Sequence, residues 1–95
     1  MEEQNSSCVH HHQICEELTE LYRKKNHDYG NSFHETYKEF GLTMAAIRLD
    51  DKLRRFKTLI RAAPSVDESI RDTLVDLANY AILTVMELDR EQMPW

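Results

Sequence analysis

The chain is 95 residues long, with two glycines, two prolines and a net charge of −5. That is one small domain, able to bury about 60–65% of its unfolded surface, and chains this short often complete their core by oligomerising. An apolar fraction of 41% beside a charged fraction of 31% excludes a disordered chain. The scarcity of glycine and proline argues for long helices and against a sheet. No apolar run approaches the ~20 residues of a membrane span, and the start of the chain has no apolar core of a signal peptide. Cys8 and Cys15 are too few and too close for a disulfide framework, so a reducing cytoplasm is the expected location. The acidic balance argues against binding to duplex nucleic acid.

Residues 1–12, MEEQNSSCVHHH, are polar and aperiodic and read as a mobile arm; residues 13–95 read as one helical domain. A first helix is expected from Val9 or His12 to Asn26, with Ile14, Leu18 and Leu21 as its core stripe and Glu16, Glu20, Arg23 and His27 on the far side. His27-Asp28-Tyr29-Gly30-Asn31-Ser32 is the loop signal, with Gly30 free to take a positive φ. Ser32 is placed to cap a short helix, Phe33 to Phe40, which Gly41 ends.

A second long helix should run from about Thr43 to Ala63. There Ala46, Leu49, Leu53, Phe56, Ile60 and Ala63 recur at alternating steps of 3 and 4, a coiled-coil-like seam, with Arg48, Asp51, Lys52 and Arg55 opposite. Pro64-Ser65 breaks the chain, and Asp67 is placed as the N-cap of a last helix reaching about Arg90. Its core stripe is expected to be Ile70, Leu74, Leu77, Ala81, Val85 and Leu88. Beyond Asn79 this helix is apolar almost all round, through Ile82, Leu83 and Met86, which suits burial between helices and partly by a second subunit. The expected fold is all-α: three main helices plus a short one after the first, with the long helices pairing in a homo-oligomer to form a four-helix core.

Charge is unevenly distributed: residues 42–63 sum to +4, between flanks of −4 and −5. In the last helix Glu68, Asp72 and Asp76 repeat every four residues and so share one side. Like charges at that spacing repel one another unless a cation neutralises them. Glu16-Glu17-x-x-Glu20 is a second acidic cluster on the first helix. Two carboxylate-bearing helices are what a hard cation such as Mg²⁺ needs, and Mg²⁺ usually brings phosphates with it. The bland alternative is a set of solvated faces with ordinary charge pairing.

Arg48, Lys52 and Arg55 are natural phosphate partners on one side of the basic helix, and the acidic helices would occupy them when no phosphate is bound. The segment from His27 to Phe33 offers a ring for a base in Tyr29, an amide for its edge in Asn31, and an imidazole and an acid in His27 and Asp28. Phe33 reads as a core plug. His10-His11-His12 has no fourth ligand for a zinc site, and neither a Gly-rich phosphate loop nor a Ser-His-Asp arrangement is present.

Three runs carry a resemblance: His27-Asp28-Tyr29-Gly30-Asn31-Ser32-Phe33; Ile47-Arg48-Leu49-x-Asp51-Lys52-Leu53-x-Arg55; and Glu68-Ser69-Ile70-Arg71-Asp72-Thr73-Leu74-x-Asp76-Leu77-Ala78-Asn79-Tyr80-Ala81. Together they resemble the nucleotide modification associated domain type 1 family, small α-helical proteins common in phages and prophages, over about residues 18–88. That family is in turn distantly similar to the all-α nucleoside triphosphate pyrophosphatases of the MazG and dimeric dUTPase group. The resemblance implies Mg²⁺ held by an E-x-x-E pair, matched by Glu17 and Glu20, and by an E-x-x-D pair on a later helix. Here the chain departs, offering Glu68, Asp72 and Asp76 at four-residue steps.

The expectation is therefore a Mg²⁺-dependent nucleotide-binding protein, acting as a nucleoside triphosphate pyrophosphohydrolase. Glu17, Glu20, Asp72 and Asp76 would be catalytic and metal-binding, with Glu68 supporting. His27, Asp28, Tyr29, Asn31, Arg48, Asp51, Lys52, Arg55 and Asn79 would contact the ligand. The rival is a phage-type protein that sequesters an intact signalling nucleotide, in a bacterial host's cytoplasm, without turnover.

Overall fold

The computed structural model describes residues 2–29, 31–61 and 67–92, and gives only the backbone of 2–4, 28, 29 and 67–69. Its elements are α1 (Glu2–Tyr29), α2 (Ser32–Phe40), α3 (Leu42–Ile60) and α4 (Asp67–Gln92). Among the described residues there is no strand, as the all-α expectation requires. The chain divides into two units, Met1–Gly30 and Asn31–Trp95.

The first unit is α1. Leu18 is buried and Ile14 and Leu21 are half-buried, so the expected stripe holds, with Tyr22 added to it. The helix is longer than expected at both ends. It begins at Glu2, in the segment read as an arm, because residues 5–13 are exposed throughout and an exposed helix needs no apolar period. Local pairs support this polar cylinder: His12 lies 2.8 Å from Glu16 and Glu20 3.3 Å from Arg23, each within one turn. At the other end, His27, Asp28 and Tyr29 form the last turn of α1. None of these three residue types breaks a helix. The expected loop is therefore helical at its first three residues, and Gly30 lies outside the described residues.

The second unit is built around one glycine. Gly41 has φ 68° and ψ −154°, where a side chain is strained. Its N–H donates to the Tyr37 carbonyl at 2.7 Å, ending α2, and its carbonyl accepts from the Met44 N–H at 3.1 Å, starting α3. At the front of α2 the cap position falls to Asn31, one residue before the expected Ser32, and the Asn31 carbonyl accepts from the Glu35 N–H at 3.0 Å. The sharp reversal at Gly41 packs Tyr37 against Met44 and Ala45, with Phe33 beside them.

α3 and α4 run in opposite directions. The start of α3 shares the core with Tyr37, which bonds to Glu91 near the end of α4, whereas Lys52, two turns further along α3, meets Asp76. The inward face of α3 is Ala45, Leu49, Lys52, Phe56 and Leu59, not the expected seam: Ala46, Leu53 and Ile60 are exposed. Both seams have the 3–4 spacing and share Leu49 and Phe56; packing selects the one with a lysine at its centre. Ala63, Pro64 and Ser65 lie outside the described residues.

α4 is turned likewise. Of its expected core stripe, Ile70, Leu77 and Leu88 are half-buried, but Leu74, Ala81 and Val85 are exposed, while Thr73 and Glu87 are buried. Its inward face carries Asp76, Tyr80, Glu87 and Glu91, which meet Lys52, Phe33, His34 and Tyr37. A polar inward face is satisfied by partners on α2 and α3, so the apolar flank is free to point outward.

Candidate functional site

At the centre of the α3–α4 seam the Lys52 ammonium donates to Asp76 Oδ2 at 3.2 Å, with each side chain only about a quarter exposed (27% and 25%). Helical spacing sets what flanks the pair. Arg48 and Arg55 stand one turn to either side of Lys52, both exposed and, among the described residues, in no ion pair. Their neighbour Arg54 is tied instead to Asp50 at 2.6 Å. Asp72 and Asn79 flank Asp76, exposed and half-buried respectively. Because the helices are antiparallel, these two fall on the same side of the seam as the arginines. Leu53, Ile60, Leu74 and Val85 fall on the other. One side of the hairpin is thus a mixed-charge strip and the other an apolar one.

The expected residues are brought together in part. Asp72, Asp76, Asn79, Arg48, Lys52 and Arg55 share this strip, and Asp51 lies exposed on the same helix. Asn31 is exposed at the start of α2. Glu17, Glu20 and His27 belong to the first unit, all three exposed. The side chains of Glu68, Asp28 and Tyr29 lie outside the described residues. Among the described residues no three His, Cys, Asp or Glu side chains converge on a point that would hold a metal. The donors present are carboxylate oxygens one turn apart at Asp72 and Asp76, which suits Mg²⁺ held by one or two carboxylates with water and phosphate completing its shell.

A second polar cluster lies outside the residues expected from the sequence. Between α2 and α4, His34 Nδ1 lies 2.7 Å from Glu87 Oε1 and 3.0 Å from Oε2. Arg90 Nη1 stands 2.7 Å from the same nitrogen and 3.5 Å from Glu87 Oε2. One ring nitrogen cannot both donate and accept. Glu87 is 5% exposed and fixed, whereas Arg90 reaches solvent on a long stem, so the carboxylate decides: Nδ1 carries a proton and donates it to Glu87. Close by, the Tyr37 hydroxyl donates to Glu91 at 2.9 Å. Burial first, and then Glu91 with a contribution from Glu87, pushes the phenol above its ordinary range. A carboxylate inside Val85-Met86-Glu87-Leu88 was the signal available, since a charge inside an apolar run needs a buried partner.

A family model described as nucleotide modification associated domain 1 matches residues 25–88. The chain belongs to this family. The match takes in all of α2 and α3 and α4 as far as residue 88, so the Lys52–Asp76 strip and the His34–Glu87 pair lie within the nucleotide modification associated domain 1 region, whereas Arg90 and Glu91 lie just beyond it. Comparison with the curated proteins and with the solved structures found no match.

Proposed function

We propose that this protein binds a nucleotide with Mg²⁺ on the α3–α4 strip and cleaves it as a nucleoside triphosphate pyrophosphohydrolase. The observation that carries this reading is the Lys52–Asp76 pair flanked by Arg48 and Arg55. An ammonium resting on a half-buried carboxylate, beside two guanidinium groups that form no ion pair among the described residues, is a charge arrangement that a phosphate and a cation can take over together. Arg48 and Arg55 would grip phosphate oxygens in bidentate fashion. Lys52 would exchange Asp76 for a phosphate, leaving Asp72 and Asp76 as the metal-facing carboxylates, with Glu68 in support on its four-residue spacing; Glu17 and Glu20 are a further metal-binding pair that the resemblance implies. Bound Mg²⁺ would neutralise phosphate charge and polarise the attacked phosphorus.

A second reading has its own support: Asp76 is already neutralised by Lys52, and the described carboxylates form no trio, which favours sequestration of an intact nucleotide over turnover. Incubation with a panel of nucleoside triphosphates and Mg²⁺, followed by mass spectrometry of filtrate and of denatured protein, separates the two. Turnover predicts monophosphate and pyrophosphate over many cycles, abolished by EDTA and by Asp76→Ala. Sequestration predicts that the ligand is lost from the filtrate and returned unchanged on denaturation, with Arg48→Ala or Arg55→Ala weakening it and EDTA having no effect.

The same reading includes a homo-oligomer. Leu74 and Val85 on α4 are 42% and 54% exposed, on the side of the hairpin away from the charged strip, and Ile82, 45% exposed, lies on the back of the helix. The basic α3 of one copy against the acidic α4 of another would give complementary charge around that apolar face.

A further inference from the structure

His34 is the one buried-side imidazole of the second unit, and it has no role in the phosphate-binding strip. Its Nδ1 edge is committed to Glu87, which orients the ring and turns Nε2 to the opposite edge. Among the described residues Nε2 has no partner, and no side-chain nitrogen or oxygen that is sealed from solvent lacks one. Nε2 is therefore an oriented polar atom that is not sealed from water.

Its placement relates it to the strip. α2 packs against Met44 of α3 and against Glu87 and Arg90 of α4, positions that fall on the side of the seam carrying Arg48 and Asp72. Asp76 and Glu87 are separated by about 16 Å along the α4 axis. Between them stands Tyr80, half-buried, its ring centroid 5.9 Å from that of Phe33. Basic groups thus stand at one end of this side, an aromatic pair in the middle and an oriented imidazole at the far end, a span comparable with an extended nucleoside triphosphate. The far end does not suit phosphate: Glu87 and Glu91 outnumber Arg90 there. It suits an uncharged hydrogen-bond donor.

Resting on the nucleotide-binding reading above, we propose that His34 Nε2 is the specificity-determining contact to the nucleoside, accepting a hydrogen bond from a ribose hydroxyl or a base N–H. The test exploits the two nitrogens. Asparagine places its amide near the Nδ1 position and keeps a donor for Glu87 but has nothing at Nε2; glutamine reaches the Nε2 position and gives up the Glu87 bond. Binding of the wild type, His34→Asn and His34→Gln is measured by calorimetry against the nucleoside triphosphate panel and against inorganic tripolyphosphate, each with Mg²⁺, with circular dichroism confirming helicity.

The expected result is that His34→Asn binds the preferred nucleotide roughly tenfold more weakly, with discrimination among bases or sugars reduced, while its tripolyphosphate affinity stays at the wild-type value. His34→Gln should keep more of the nucleotide affinity than His34→Asn. The opposite ranking, or His34→Asn binding like the wild type, overturns the proposal and leaves the phosphate strip standing. A wild type that binds tripolyphosphate and nucleotides equally well also overturns it. No binding of either probe overturns the nucleotide reading itself.

Discussion

Asp76 and Glu87 sit on the same face of one helix and are handled differently. Asp76 is paired to a lysine whose flexible stem can leave it; Glu87 is nearly sealed from water and held by a ring and a guanidinium. Removing one partner of a buried charge costs more than the pair contributes, which makes the first pair suited to ligand exchange and the second to fixing geometry. Tyr37 offers a measurable consequence. Its hydroxyl is held neutral beside Glu91 and Glu87, so its pKa in the folded protein lies above the unfolded value. Its contribution to stability is complete below the unfolded value of about 10 and falls as pH rises through the folded one. Thermal melts between pH 8 and 11 should show the wild type losing stability at the alkaline end more steeply than Tyr37→Phe. Parallel curves for the two would mean that the phenol feels no carboxylate.

Among the elements, the α2–α3 corner depends on the backbone of Gly41. A Cβ placed there meets nothing within 4 Å, so a substitution would be opposed by conformation alone. With φ 68° and ψ −154°, the residue lies outside the left-handed helical well that asparagine tolerates. Gly41→Ala and Gly41→Asn are both expected to destabilise the protein by roughly 1–3 kcal/mol, measured by urea denaturation. Recovery of stability in the asparagine variant would show that the corner relaxes into an ordinary turn. The lesson of α3 is similar. Its expected seam is a good heptad pattern, yet the helix is turned by one residue, so that Lys52 meets Asp76 while Leu53 and Ile60 stay exposed.

On the scale of the whole molecule, the buried side-chain inventory is modest: Leu18, Tyr37, Met44, Ala45 and Val75 are its buried apolar residues among those described. Set against that, Leu42, Leu53, Ile60, Leu74 and Val85 are exposed, more apolar surface than a lone small protein usually leaves on one side. Val85→Glu is therefore expected to convert an oligomer to monomer, read by light scattering after size exclusion, with tripolyphosphate binding reduced only if the strip is shared between copies. A wild type that is already monomeric at micromolar concentration would remove the oligomer from the reading. No helix is long and apolar enough, among the described residues, to cross a membrane.

The sequence by itself determined what is local. The helical content, the break at Gly41, the stripe of Ile14, Leu18 and Leu21, and the carboxylate and basic spacings are all set by the period of one helix and the chemistry of one glycine. The runs that carry the family membership are equally readable without a fold. Only the tertiary structure decided which flank of each long helix faces inward. α3 holds two overlapping seams that share Leu49 and Phe56, and nothing within the helix ranks them; the choice belongs to α4. His34 and Glu87, 53 residues apart, are each unremarked in sequence and become a dyad only when α2 is laid across α4. Periodicity is a property of a single element, whereas the meeting of two charges is a property of how elements pack.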